Sequence, residues 1–330
     1  MLFSETNWNN AEELQPFVQT SAALSFGRCK SSFANAERNY LYRMFGERLM
    51  QRVQGLYESG AATAAESDLL FHMRNAEANL AFADDFDAFQ VRLTDQGFQR
   101  QETEKFKQAF RYQENALQQM YLNRGLNALD RACEHLDLHS DVFPEWCDTE
   151  FCKERRTLIV QSAYEVNSVY FINRSNIIYM RLLPYIKQVS ELELPFMLPN
   201  GLYQKFIDGL REGKEYVDDD CTVMTVTGLR KECVKYVVYK SLLRLVRETG
   251  SITDRGLYFG STKSSAANPD EDTPSRRSDQ VNLANQLTPL ANKYARHIEY
   301  IVQSFFGKYS GGKECDVLKR DNTRKKSFWL

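Results

Sequence analysis

Leu93-Thr94-Asp95-Gln96-Gly97-Phe98 and Ile252-Thr253-Asp254-Arg255-Gly256-Leu257 share one pattern, 159 residues apart from Asp95 to Asp254. In each, an apolar residue and a threonine lead into Asp-x-Gly, where glycine supplies the positive φ that a tight turn needs. Phe89 to Leu93 alternates with period two, so the first copy reads as a short strand running into a turn.

The flanks of the two copies also correspond. Residues 62–84 precede the first, with Leu69, Met73, Ala76, Leu80 and Ala83 at helical spacing. Residues 231–247 precede the second, with Val234, Val237, Val238, Leu242 and Leu245. Long amphipathic helices follow, at about 102–137 (Phe106, Phe110, Leu117, Tyr121, Ala128, Ala132, Leu136) and 281–306. Ser21-Ala22 and Ser162-Ala163 head a helix pair in each half, 141 residues apart. About 18 residues are therefore inserted in the second half, and 191–227 is the natural place for them.

The predicted fold class is mainly α, with two related helical lobes from an internal duplication. Each lobe carries a short strand-turn insertion, and an extended C-terminal tail follows. The boundaries are 1–150, 151–306 with a mobile loop at about 258–280, and 307–330.

Other elements follow from local signals. Asn10 reads as a helix N-cap, with Glu13 three residues on to complete a capping box. Leu14, Phe17, Val18, Ala22 and Phe26 continue that helix. Residues 33–58 form the next helix, closed by Gly60. Residues 138–152 are a connection, and 153–190 hold one or two helices. Leu202–Leu210 is a short helix. Cys221–Thr227 is β-branched and alternating, so it reads as a strand. Ser264–Asp279 reads as a mobile loop. Thr288 then caps the last helix, with Pro289 at its first position.

Composition narrows the function. Lys plus Arg is 42 and Asp plus Glu is 44, a net charge of −2, which argues against a dedicated nucleic-acid binder. Gly at 16 and Pro at 8 are low for a turn-rich β protein. Seven cysteines spread from Cys29 to Cys315 fit a reducing compartment rather than a disulfide framework. Met1–Thr6 has no basic n-region, and no apolar run approaches ~18 residues, so neither a signal peptide nor a membrane span is expected.

The candidate chemistry is sparse. Cys133, His135, His139, Cys147 and Cys152 are the best metal-ligand set, because His135 and His139 share a helix face. Cys133, however, falls in the apolar stripe, and a packed reading is preferred. Asp84-Asp85-Phe86-Asp87 and Asp218-Asp219-Asp220 lack the spacing of a calcium loop and read as solvated turns. His72 reads as a packed histidine and His297 as a surface one. Gly-x-Ser-x-Gly, His-Glu-x-x-His and phosphate-loop motifs do not occur in the sequence. No catalytic residue, cofactor or metal is therefore expected. The segment Gly307–Leu330 holds seven basic and three acidic residues and ends in aromatics. Lys319, Arg320, Arg324, Lys325, Lys326, Phe328, Trp329 and Leu330 are its candidate partner-binding residues.

Ala11-Glu12-Glu13-Leu14, the Leu93–Phe98 turn and Gln113-Glu114-Asn115-Ala116-Leu117 resemble a family of uncharacterised helical proteins of Bacteroidetes and their phages. The build is also similar to head–tail connector adaptors, which are shorter chains that assemble as rings beneath the portal. The resemblance implies a virion structural protein made in the host cytoplasm. Its partners would be portal, tail or ring proteins and other copies of itself, with no membrane, and with nucleic acid only near the basic tail. The alternatives are a cellular helical scaffold or adaptor in the cytoplasm, and a zinc-dependent enzyme using the Cys133–Cys152 cluster.

Overall fold

Thr63 opens the helix that organises the first core. In the computed structural model its backbone N–H donates to Glu66 Oε2 at 3.0 Å, and its hydroxyl accepts from the Glu66 N–H. This reciprocal cap satisfies two helix-end donors at once. The structure describes residues 1–94, 97–100, 111–198, 201–211, 223–249, 252–253, 256–257 and 274–305.

In chain order, α1 spans Phe26–Ala36, a π-helical turn Glu37–Leu41, α2 Tyr42–Ser59 and α3 Ala64–Asp84. Gly60 ends α2 with a φ of 65°, its N–H on the Leu56 carbonyl, a left-handed cap that suits glycine. Then come α4 (Phe86–Gln90), β1 (Val91–Thr94), β2 (Gly97–Arg100) and α5 (Arg111–Leu138). Two short helices turn the corner: α6 (Pro144–Cys147) and α7 (Glu150–Arg155), the latter capped by Thr149. The second half holds α8 (Ala163–Val169), α9 (Asn176–Leu192), α10 (Leu194–Met197), α11 (Leu202–Arg211) and α12 (Val223–Thr249). It continues with β3 (Ile252–Thr253), β4 (Gly256–Leu257) and α13 (Pro274–Phe305).

Among the described residues the architecture is mainly helical. Two long helix pairs, α3 with α5 and α12 with α13, make the most extensive contacts. Each pair brackets two antiparallel strands: Leu93 opposes Phe98 and Thr94 opposes Gly97, while Ile252 opposes Leu257 and Thr253 opposes Gly256. The turn residues 95–96 and 254–255 lie outside the described residues.

Among the described residues the apolar side chains form two clusters. One gathers Leu2 to Cys152 around α3 and α5, and the other gathers Leu158 to Ile298 around α9, α12 and α13. Phe151 packs against both. Asp130 of α5 joins the halves by capping α9. Its carboxylate accepts from Ser175 Oγ at 2.7 Å and from the Ile177 N–H at 2.9 Å. A carboxylate at a helix N-terminus also meets the positive end of the helix dipole.

Four sequence expectations are corrected. Asn10 does not cap a helix. Asn9, Asn10 and Ala11 have φ of 33°, 58° and 64°, and α1 starts only at Phe26. Glu13 is drawn away from the cap by Arg74 and Tyr57, while Leu14, Phe17 and Val18 are buried from a turn-rich strap. Residues 223–227 of the expected strand are helical, the first turn of α12. β-branched preferences cost only tenths of a kcal/mol each, whereas extending an existing helix adds a hydrogen bond per residue. Residues 274–279 of the expected loop belong to α13, and 258–273 lie outside the described residues. Pro289 sits inside α13 rather than at its start. Proline removes one donor to the Asn285 carbonyl, a loss a 32-residue helix absorbs, and the Thr288 hydroxyl donates to Ala284 O at 2.7 Å.

The α3–α5 seam is sterically tight. A Cβ on Gly125 would come within 2.6 Å of Leu80 Cγ and 3.1 Å of the Leu80 backbone nitrogen. Gly125→Ala is therefore expected to lower stability by about 1–3 kcal/mol through overpacking, against a gain of about 1 kcal/mol from helix propensity alone. Urea unfolding of G125A and of G125A/L80A checks this. The double variant should lose less than the two single losses together.

Candidate functional site

A fully buried carboxyl lies under the N-terminal strap. Glu77 of α3 is 0% exposed and accepts from the Leu2 N–H at 3.0 Å. Its other oxygen has no hydrogen-bond partner. Burial, and then the neighbouring Glu37 carboxylate, push its carboxyl up to about 8. The Met1 amino nitrogen lies 2.7 Å from Glu37 Oε1. Arg74, one turn before Glu77, donates to Leu2 O at 3.0 Å and to Glu13 Oε1 at 2.7 Å. Its guanidinium also stacks on Phe3, Phe17 and Tyr57 at 4.8, 5.3 and 5.3 Å. A protonated carboxyl in a dry site resembles a general acid, but an acid must reach its substrate. Leu2 and Phe3, at 0% and 1% exposure, seal this one. The arrangement fastens the strap.

The Cys/His set is not brought to one point. Cys133 and Cys152 are buried in the first core, and burial pushes both thiols up, away from reactivity. His135 Nε2 pairs with the Ala65 carbonyl at 2.8 Å, and His139 Nδ1 with the His135 carbonyl at 3.0 Å. The two rings stack at 4.3 Å, and His72 lies on the other ring contact of His135, at 6.3 Å. The three imidazoles are a packed row, in which burial, His135 and Arg131 lower the His72 pKa. Among the described residues no group of three or more His, Cys, Asp or Glu is placed to hold a metal ion. His297 pairs with Glu232 at 3.0 Å.

Asp84 accepts from Tyr40 OH at 2.9 Å, which makes it part of the helix packing rather than of a cation site. Asp218, Asp219 and Asp220 lie outside the described residues. So do all eight tail candidates, Lys319, Arg320, Arg324, Lys325, Lys326, Phe328, Trp329 and Leu330.

Sequence reasoning missed three polar anchors. Arg52 reaches Glu66 at 2.8 Å, Glu145 at 3.0 Å and the Val142 carbonyl at 2.8 Å, tying α2, α3 and α6 together. These contacts, with the cap from Thr63, hold the Glu66 carboxyl down at about 2. Asp137 accepts from Trp146 Nε1 at 2.7 Å and from both Arg155 amino groups. The third is Glu77, and only this one had a visible signal, a lone acid in the apolar run Ala76–Ala83.

Among the described residues there is an open groove on the surface. A groove of about 810 Å³ between α9 and α12 is lined by Arg181, Pro184, Tyr185, Lys187, Gln188, Glu191, Leu192, Leu245 and Glu248. Leu192 is 58% exposed, and Phe196, one turn on, is 90% exposed.

Residues 41–156 match a family of unknown function, DUF6712. The matched segment runs from α2 through α7, so it contains the α3–α5 seam, the first strand pair, the histidine row and the Arg52 anchor. The strap and the second core lie outside it. No curated protein and no solved structure matches this chain. No helix among the described residues is long and apolar enough to cross a membrane.

Glu77 yields a pH test with a defined sign. Its folded pKa of about 8 lies above the reference value of 4.5. Over that window the folded state holds a proton that the unfolded chain has lost. Its contribution to stability is full below about 4.5 and is lost as pH rises to about 8. Glu77→Gln should flatten that decline in thermal unfolding between pH 5 and 8.5, and unfold at a higher temperature than wild type at pH 8.5.

Proposed function

We propose that this chain is a non-enzymatic structural protein of a phage or prophage particle, a head–tail connector or neck adaptor. It assembles through its helical lobes and docks through its basic tail on portal, tail or ring proteins. The observation that supports the reading is a correspondence in order between two stretches of the chain. Residues 64–90, which form α3 and α4, correspond at an offset of 159 to 223–249, which is α12. The strand pairings repeat at the same offset: Leu93–Phe98 with Ile252–Leu257, and Thr94–Gly97 with Thr253–Gly256. Each unit then continues into a long helix that packs back on the first. Both boundaries and registers support an internal duplication, in which each lobe carries a strand-turn insertion.

A duplicated helical chain offers two similar surfaces per copy, which suits closed symmetric assembly. The polar groups with strongly raised pKa values support a structural role as well. Glu77 fastens the strap, and Asp130, pushed up to about 6 mainly by burial, caps α9. The virion assignment rests on the resemblance in residues 11–14, 93–98 and 113–117.

Mass spectrometry of purified particles should find the chain at a fixed copy number. Its absence from particles would favour the cellular scaffold. Removing residues 310–330 is expected to leave the unfolding transition unchanged within about 0.5 kcal/mol, as for changes outside a packed core. Recovery of partner proteins should fall by at least tenfold. Unchanged recovery would remove the tail from the docking mechanism.

A further inference from the structure

We propose that Met1–Phe3 is a latch set by the protonation of Glu77. The segment stays seated over the protonated carboxyl and lifts away when the carboxyl ionises. This holds whether or not the chain assembles with partners.

The seat suits a neutral group. One Glu77 oxygen accepts from the Leu2 N–H at 3.0 Å, and the other is buried without a hydrogen-bond partner. A carboxylate held this way lacks the donors or water that would balance its charge. Among the described residues the charged groups acting on Glu77 come from three elements: Glu37 on the π-helical turn, the Met1 amine on the strap and Arg74 on α3 itself. Both cations are already engaged. The amine lies 2.7 Å from Glu37 Oε1, and Arg74 donates to Leu2 O and Glu13. The cover is also the cheapest part to move, because the rest of the strap is pinned without Glu77. Ser4 Oγ accepts from Tyr57 OH at 3.1 Å, and Trp8 Nε1 donates to Leu24 O at 2.7 Å. Glu13 accepts from Arg74 and Tyr57 at 2.7 and 2.6 Å. Lifting Met1–Phe3 therefore admits water to the carboxylate while Ser4 and the residues after it stay in place.

The linkage has a defined sign. Seated, Glu77 titrates at about 8, and in water it returns toward 4.5. Between these limits the open form binds fewer protons, so rising pH favours opening by about tenfold per unit, with no further gain above the upper limit. Opening takes Phe3 off the rings of Phe33 and Phe17, which it meets at centroid distances of 4.7 and 6.0 Å. A proton on α3 thus controls whether an aromatic face of α1 is covered.

The test is amide hydrogen exchange of the full chain labelled with 15N-leucine, read by NMR between pH 6 and 8 and corrected with an unstructured peptide of the same sequence. Leu2 reports the latch. Leu14, also 0% exposed and with its N–H on Ala11 O at 3.0 Å, reports the pinned part of the strap. Protection of Leu2 should fall by about tenfold per pH unit, the ratio set by the linkage. Protection of Leu14 should exceed that of Leu2 by at least about tenfold throughout, as local opening requires. Glu77→Gln should abolish the fall at Leu2. Four results would each overturn the proposal: Leu2 unprotected at every pH, Leu2 protection constant with pH, Leu2 and Leu14 equally protected, or a decline that survives in Glu77→Gln. The first three are read on the unmodified chain, so they decide even if the variant fails to fold.

Discussion

Two helices can lie with their backbones nearly in contact only where one of them lacks a Cβ. Gly125 meets that condition in the first core, where α5 presses on Leu80 of α3. The rest of the first lobe is built on that seam. The strap lays Leu2, Phe3, Leu14 and Phe17 into the same core. Arg52 and the ring contact of Phe45 with Trp146 tie the short helix α6 to α2. Because α5 is fixed in place, Asp130 stands where it can cap α9, and the second core is tied to the first by a charged hydrogen-bonded group as well as by Phe151.

The buried polar groups act as fasteners at places where irregular backbone must be held. A strap with three consecutive left-handed residues has only short turns of backbone hydrogen bonds, such as Glu12 N–H to Asn9 O and Leu14 N–H to Ala11 O, so its position depends on side-chain anchors. Glu13, Arg74 and Glu77 provide them. The corner between α5 and α7 has the same need and meets it with Asp137, Arg155 and Trp146. Such anchors are costly to break, because the surviving partner is left buried and unpaired. They specify how segments join.

The helical framework was legible because its signal is local. The stripe Leu69, Met73, Ala76, Leu80, Ala83 and the stripe in 231–247 each fall within a helix, although the second helix begins earlier, at Val223. The strap was misread because Glu13, at capping-box spacing from Asn10, is claimed by Arg74, 61 residues away. Residues 223–227 were misread because a local β preference competes with a helix stabilised from its far end. Pro289 was misread because a proline at a helix start and one inside a long helix look alike in sequence. The packed reading of Cys133 came from its place in the stripe. Arg52 with Glu145 and Asp137 with Arg155 left no trace, because such pairs carry no periodicity.

The central claim is that the chain works by associating with copies of itself and with neighbouring proteins. Sedimentation velocity of the full-length chain between about 1 and 50 µM tests it most directly. The account predicts one dominant species of fixed mass, an integer multiple of the chain, that persists on dilution toward the lower limit. A single monomer boundary at every concentration would contradict it.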